Sequence, residues 1–354
     1  MSIIPLLHNN NTDNEKTDKI RRCFIIAEAG VNHNGSLKLA KMLVDAAKNS
    51  GADAVKFQTY RTEKIVTRNA EQAGYQKKNS PSASQYDMLK KFELSENDFK
   101  ELYRYSIHRK IMFLSTPFDP ESAEFLNKLG VPAFKISSGE LTNTPFLTQI
   151  AKYNKPVILS TGMSTLKEVK NAVGTIFSSG NKKLVLLHCT SSYPARDEDI
   201  NLKAMLTLKK KFNLPVGYSD HTIGNVAAIA AAALGAEVIE KHLTLNKNLP
   251  GPDHKASAAP SDFALMVQSI RSVEKMLGSG IKKPSSSEKE VMRAARKSVV
   301  SLCAIPRSTI IRADMLGIKR PGNGIPPSHI NKIIGKKTTV RIAPDKVIKP
   351  WMYR

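Results

Sequence analysis

Eight short apolar runs, each followed by a longer spacer, constrain this chain more than any other feature. They are Phe24–Glu28, Ala54–Gln58, Ile111–Ser115, Ala133–Ser137, Pro156–Ser160, Leu184–His188, Pro215–Ser219 and Glu237–Lys241. Their near-continuous apolar character predicts parallel strands covered on both faces, with helices in most of the spacers. In the first spacer Ser36 is placed to cap, Ala40, Leu43, Val44 and Ala47 recur at helical spacing, and Gly51 is placed to stop the helix. The second spacer is longer: a polar excursion from Thr59 to Asp87 precedes a helical stretch from Glu96 to Arg109, and such insertions often form lids or binding loops. Eight units between residues 22 and 277 predict an α/β chain folded as a TIM (β/α)8 barrel, with an open doubly wound sheet as the alternative.

The C-terminal strand ends separate the two. They carry Glu28, Lys56 with Gln58, Thr116, Lys135 with Ser138, Ser160 with Thr161, His188 with Thr190, Ser219 with His221, and Glu240 with His242. In a barrel these polar groups converge on one mouth, whereas an open sheet spreads them along an edge. Lys56 and Lys135 each interrupt an apolar run, where a lysine is costly unless it meets an anion or a carboxylate. With the hydroxyls of Thr116, Ser138, Ser160 and Ser219 they make a site for a small, multiply charged phosphate or carboxylate. A structural lysine paired to a buried acid and a Schiff-base lysine are the competing readings. His221 and His242 follow adjacent strands and are placed to share a divalent metal such as manganese near Glu28; local backbone capping or general-base chemistry is the alternative.

Residues 1–21 read as a polar leader, 278–292 as a Gly/Ser/Pro/Lys linker, and 293–354 as a compact β-rich module with strand-like runs Ser298–Cys303 and Thr338–Ile342. The formal charge of the chain is +23, and the 14 basic and 2 acidic residues of the module supply +12 of it. A nucleic-acid binder would interleave such charge with aromatics, yet the module has only Trp351 and Tyr353, at its end. Pro5 breaks the first apolar stretch and no basic segment precedes it, which argues against a signal peptide, and the longest uncharged run of small apolar residues, Val226–Ala236, is too short to span a bilayer. Cys23, Cys189 and Cys303 lie far apart and read as buried thiols in a reducing cytoplasm. No nucleotide-binding glycine loop is present, and His33 in Asn32-His-Asn-Gly35 reads as ordering the first barrel loop.

Several runs, in combination, resemble the sialic acid synthase family: Ala27-Glu-Ala-Gly-Val-Asn-His-Asn-Gly35, Val55-Lys-Phe-Gln-Thr59, Ser115-Thr-Pro-Phe118, Lys135-Ile-Ser-Ser-Gly-Glu140, Ser160-Thr-Gly-Met163, Gly217-Tyr-Ser-Asp-His-Thr222, Ile239-Glu-Lys-His242 and Gly251-Pro-Asp-His254. The tail, with Arg320-Pro-Gly-Asn-Gly-Ile325, resembles that family's antifreeze-like (SAF) domain. The resemblance implies a transferase that condenses phosphoenolpyruvate with N-acetylmannosamine to N-acetylneuraminate and phosphate, with C–O cleavage. The alternative is legionaminate from 2,4-diacetamido-2,4,6-trideoxymannose. The Gly251-to-Ser257 run is similar to both groups more than to pseudaminate synthases.

The resemblance also implies roles. His221 and His242 would hold Mn2+ or Mg2+, with Glu28 acting near the metal-bound water. Lys56, Thr116, Lys135, Ser138, Ser160, Ser191 and Ser219 would hold phosphoenolpyruvate, Ser191 standing where some relatives carry Asn. Gln58, Tyr193, Glu240, Asp253 and Arg320 would contact the sugar. In that family the tail of one subunit covers the barrel mouth of the other, which implies a domain-swapped homodimer, cytoplasmic, with no nucleic-acid or membrane partner.

Overall fold

The computed structural model of the chain describes residues 22–354; the leader, 1–21, lies outside the described residues. The eight apolar runs form β1 (Phe24–Gly30), β2 (Ala54–Thr59), β3 (Met112–Pro117), β4 (Phe134–Ile136), β5 (Val157–Ser160), β6 (Leu184–Cys189), β7 (Val216–Asp220) and β8 (Val238–His242). All their ladders are parallel, and β1 pairs with both β2 and β8, so the sheet closes on itself as a barrel. The seam is between β3 and β4, which lie side by side without a hydrogen-bonded ladder.

Helices fill the spacers. Ser36 Oγ accepts from Leu39 N–H at the start of helix Leu37–Asn49, and Gly51 just beyond it adopts φ +83°, a left-handed stop. The long excursion folds into three short helices, Thr62–Ile65, Gly74–Asn79 and Gln85–Phe92, before helix Glu96–His108. Met88 and Phe92 of the third pack on Val31 and Tyr60 of the barrel loops.

Alternation along each strand decides what enters the barrel. Phe24, Ile26, Ala54, Leu114, Ala133, Ile158, Val185, Leu187 and Val238 fill the lower interior, each contributing about 1.5–3 kcal/mol for the larger side chains. Gly217 is the inward residue of β7 because a Cβ there would strike the Val238 carbonyl and approach Leu187 Cδ2 to 2.7 Å. Two residues further along each strand, the inward positions are Glu28, Lys56, Thr116, Lys135, Ser160, Cys189, Ser219 and Glu240. The apolar plug thus carries a polar layer directly above it. The outward positions, among them Val55, Phe57, Phe134 and Leu186, pack under the helices.

The chain divides into two compact units, Met1–Ser279 and Gly280–Arg354. The second contains a helix, Glu288–Ala295, within and just beyond the segment whose composition reads as linker. Its antiparallel pair is β9 (Ser298–Ser301) with β10 (Leu316–Lys319), above a core of Val299, Ile311, Ile333 and Ile348. Thr338–Ile342 does not form the expected strand: it makes single bridges, Ile342 to Ile305 and Thr338 to Tyr353. Cys303 is exposed rather than buried, because β9 ends two residues earlier and the thiol falls in a bend. No helix among the described residues is long and apolar enough to cross a membrane.

Candidate active site

The polar layer forms the floor of a cavity of about 490 Å³ at the C-terminal mouth of the barrel. Lys56 Nζ lies 2.6 Å from Glu28 Oε2, donates to Thr116 Oγ1 at 3.0 Å, and is 3.9 Å from Glu240 Oε2. Lys135 Nζ donates to Ser160 Oγ at 2.7 Å and is 3.4 Å from Glu240 Oε1, which also accepts from Ser219 Oγ at 3.0 Å. Gln58 Nε2 donates to the other oxygen of Glu28 at 2.9 Å. Glu240 therefore lies on the floor between the two lysines, and both carboxylates are almost wholly buried.

Burial opposes charge on all four groups, and the neighbours decide the outcome. For Lys56 the attraction of Glu240 and Glu28 outweighs burial and holds its pKa above the ordinary lysine value. Burial wins at Lys135 and pushes its pKa down, with Glu240 opposing. Burial likewise raises Glu28 against the pull of Lys56, whereas Glu240 is held below the usual carboxylate range because Lys135 and Lys56 outweigh burial. The floor is two cations, two carboxylates and three hydroxyls, with its charged pairs already formed.

Beside Lys135 is a nook of small polar atoms. Ser138 Oγ accepts from Gly162 N–H at 2.9 Å and lies 3.1 Å from Cys189 Sγ. A Cβ on Gly162 would collide with Ser191 Oγ and come within 2.9 Å of both Cys189 Sγ and Ser138 Oγ, so only glycine leaves this cradle open. A small anion fits donors of this kind. Gly162→Ala is accordingly expected to raise the KM for the anionic substrate about tenfold or more while kcat changes less, which steady-state kinetics read directly.

The histidines complete the opposite wall. His221 Nδ1 lies 2.7 Å from the Thr190 carbonyl, which can only accept, so Nδ1 carries the proton and Nε2 of the neutral ring is left with a free lone pair. Its ring centroid is 5.5 Å from that of His242, whose buried Nδ1 has no hydrogen-bond partner. Burial lowers the pKa of His221, and burial together with His221 and the nearby lysines lowers that of His242 much further, so both rings are neutral, the form that ligates metal. Asp253 Oδ2 is 3.8 Å from His242 Nδ1, and burial and the charge of Glu28 raise its pKa to about 7. Among the described residues no group of three or more His, Cys, Asp or Glu side chains is disposed around one metal position. The pair still fits a divalent cation that takes its remaining ligands from substrate and water, and imidazole donors suit Mn2+ better than Mg2+.

Tyr193 stacks between this pair and the excursion, with its ring 4.2 Å from His221 and 5.2 Å from Tyr75. Above it the cavity is lined by Ala73, Tyr75, Gln76, Gln85, Met88, Leu89 and Phe92, a roof with no charged side chain. The floor, cradle, histidine pair and Asp253 thus bring together the sequence-predicted residues of the first unit; Arg320 belongs to the second. His188 is turned outward, its Nε2 2.8 Å from the Ile200 carbonyl, and the inward residue of that strand end is Cys189. His33 Nδ1 accepts from Gly35 N–H at 3.1 Å inside its own loop. Two further groups escape a reading of strand ends alone: the lining by Cys189, which reads as a core thiol, and a buried ion pair between Asp220 and Lys241 at 2.6 Å.

A model described as the NeuB family matches residues 43–282, and one for the SAF domain matches residues 296–354. The chain is 50% identical over 326 residues to the N,N'-diacetyllegionaminic acid synthase of Legionella pneumophila, covering 91% of this chain and 92% of that protein. It is 39% identical over 328 residues to the N-acetylneuraminate-9-phosphate synthase of Homo sapiens, covering 92% and 91%. Among solved structures it is similar to the N-acetylneuraminic acid synthetase of Leptospira borgpetersenii in complex with citrate: TM-score 0.69 and 36% identity over 77% of this chain and 91% of that one.

Proposed function

Because this chain belongs to the NeuB family and is a nonulosonate synthase, we propose that it joins phosphoenolpyruvate to 2,4-diacetamido-2,4,6-trideoxymannose, yielding legionaminate and phosphate. The observation that carries the choice of sugar is the roof. Met88, Leu89 and Phe92 offer apolar surface, and no charged side chain of the excursion lines the cavity. A 6-deoxy carbon and a second acetamido methyl suit Met88, Leu89 and Phe92, the amide of that second group suits Tyr75, Gln76 and Gln85, and a 6-phosphate meets no cation on the roof. The stronger likeness to the Legionella enzyme than to the human one supports the same reading. N-acetylmannosamine, giving N-acetylneuraminate, is the second reading, favoured by the likeness to the Leptospira enzyme.

In the reaction, C3 of phosphoenolpyruvate attacks the aldehyde carbon of the open-chain sugar and C2 becomes electron-poor. Water adds at C2, and the tetrahedral intermediate releases phosphate by breaking its C–O bond. Lys56, Lys135 and the hydroxyls of Thr116, Ser160 and Ser219 hold the carboxylate and phosphate on the floor, while Ser138 and Ser191 at the Gly162 cradle take further oxygens. Glu28, whose pKa burial raises, is the group placed to accept a proton from the added water. His221 and His242 hold the divalent cation, which when bound supplies Lewis-acid polarisation of a carbonyl oxygen. Gln58, Tyr193 and Asp253 face the same cavity and position the sugar, with Glu240 acting from beneath through the lysines. Arg320 as a further sugar contact and assembly as a homodimer belong to the same reading, and sedimentation at the mass of one chain would count against the latter.

The sugar is tested by phosphate release with each candidate. The diacetamido sugar is expected to show a kcat/KM about tenfold or more above that of N-acetylmannosamine, the scale set by apolar-pocket discrimination. Equal values, or a preference for N-acetylmannosamine, would transfer the assignment to N-acetylneuraminate.

A further inference from the structure

The two histidines differ in how they are held. His221 is anchored by its own ring hydrogen bond to Thr190, but the Nδ1 of His242 makes no hydrogen bond, so that ring is held by packing against Tyr193, by the Asp253 carboxylate at 3.8 Å and by the strand end that carries it. Next to the histidines are Asp220 and Lys241, facing each other across the β7–β8 ladder. By alternation they point away from the cavity, into the layer where the neighbouring outward residues are Tyr218 and Ile239. Lys241 Nζ lies 2.6 Å from Asp220 Oδ2 and donates to the Thr222 carbonyl at 2.9 Å, while Asp220 Oδ1 accepts from the Thr222 N–H at 2.9 Å and its hydroxyl at 2.8 Å. Both side chains are about as deeply buried as any in the barrel. An ion pair in an apolar layer is weak evidence for stability, since a hydrophobic pair of similar volume often does as well.

We propose that the Asp220–Lys241 pair is a positioning device that ties the strand end bearing His242 to the turn after His221 and so sets the separation of the two imidazoles for one divalent cation. Lys241 binds both the side chain before His221 and the backbone after it, so neither strand end can slip relative to the other. Neither residue touches substrate. The inference rests on His221 and His242 being the cation's ligands.

The test measures Mn2+ affinity of the full chain from the free-ion electron paramagnetic resonance signal, phosphoenolpyruvate affinity by calorimetry, and Tm. The variants are Lys241→Met, Asp220→Asn and the double variant. Lys241→Met leaves a buried carboxylate unpaired and is expected to lower Tm; the double variant carries no buried charge and is expected to recover it. A positioning role predicts that the double variant, with wild-type Tm, still binds Mn2+ about 10–100-fold more weakly, with phosphoenolpyruvate affinity unchanged within about twofold. Mn2+ affinity within twofold of wild type in the double variant would overturn the inference, as would equal losses for Mn2+ and phosphoenolpyruvate. A wild-type chain that holds no Mn2+ would remove the ligand assignment and this inference with it.

Discussion

Replacing His242 with alanine is expected to lower kcat/KM by about 10³-fold or more, together with loss of the bound divalent cation, while the barrel stays folded. The size follows from the several kcal/mol that Lewis-acid polarisation supplies, at about 1.4 kcal/mol per tenfold in rate. The fold should survive because the His242 Nδ1 makes no hydrogen bond and the ring borders an existing cavity, so its removal breaks no polar network. The expected result is a cation-free chain by metal analysis, a circular dichroism spectrum like that of the wild type, and no phosphate release. The wild type treated with EDTA should match it and recover on addition of Mn2+. Full activity in EDTA would show that the histidines act otherwise, as backbone caps or a general base.

The second large effect separates the two lysines. Lys135→Ala is expected to raise the KM for phosphoenolpyruvate by about 10–150-fold, the scale of a lost hydrogen bond to a charged group. Its loss leaves Glu240 still facing Lys56, so the effect on stability is modest. Lys56→Ala removes the ion-pair partner of Glu28 at 2.6 Å and leaves that buried carboxylate with no lysine in contact, because Lys135 pairs with Glu240. Breaking a buried pair of this kind costs about 3–5 kcal/mol, so this variant should lose both substrate binding and much of its stability. Thermal melts and steady-state kinetics on both variants measure the contrast. Equal Tm values would contradict the ion-pair geometry, and a borohydride-trapped substrate adduct on Lys135 would show Schiff-base chemistry in place of anion binding.

The sequence made the barrel readable because each strand is short, apolar and closed by a polar residue, so even the strand limits lie within a residue or two of the structure. The same logic found the floor, since Lys56 and Lys135 stand where alternation turns them inward. What it missed depends on which of two adjacent residues faces in, where a shift of one position reverses the answer. His188 and Cys189 exchange roles in this way, and the outward-facing pair of Asp220 and Lys241, between the inward Ser219 and Glu240 and the two histidines, went unread. The roof was visible only as a polar insertion, because the packing of Met88 and Phe92 on Val31 and Tyr60 joins segments distant in sequence. In the second unit β10 carries no alternation strong enough to mark it, and Thr338–Ile342 has the composition of a strand without a partner strand to pair along its length.

Lys56, Lys135, His221 and His242 line one cavity, and in the proposed reaction the lysines hold the anion while the histidine pair faces the aldehyde, as carbon–carbon bond formation followed by loss of phosphate requires. The most direct test uses phosphoenolpyruvate carrying 18O in the oxygen that bridges C2 and phosphorus, incubated with the chain, Mn2+ and the acetamido sugar, with both products read by mass spectrometry. C–O cleavage predicts that the label leaves in the phosphate and that the nonulosonate is unlabelled. Label retained in the sugar acid with unlabelled phosphate, or no phosphate released with either sugar, would contradict it.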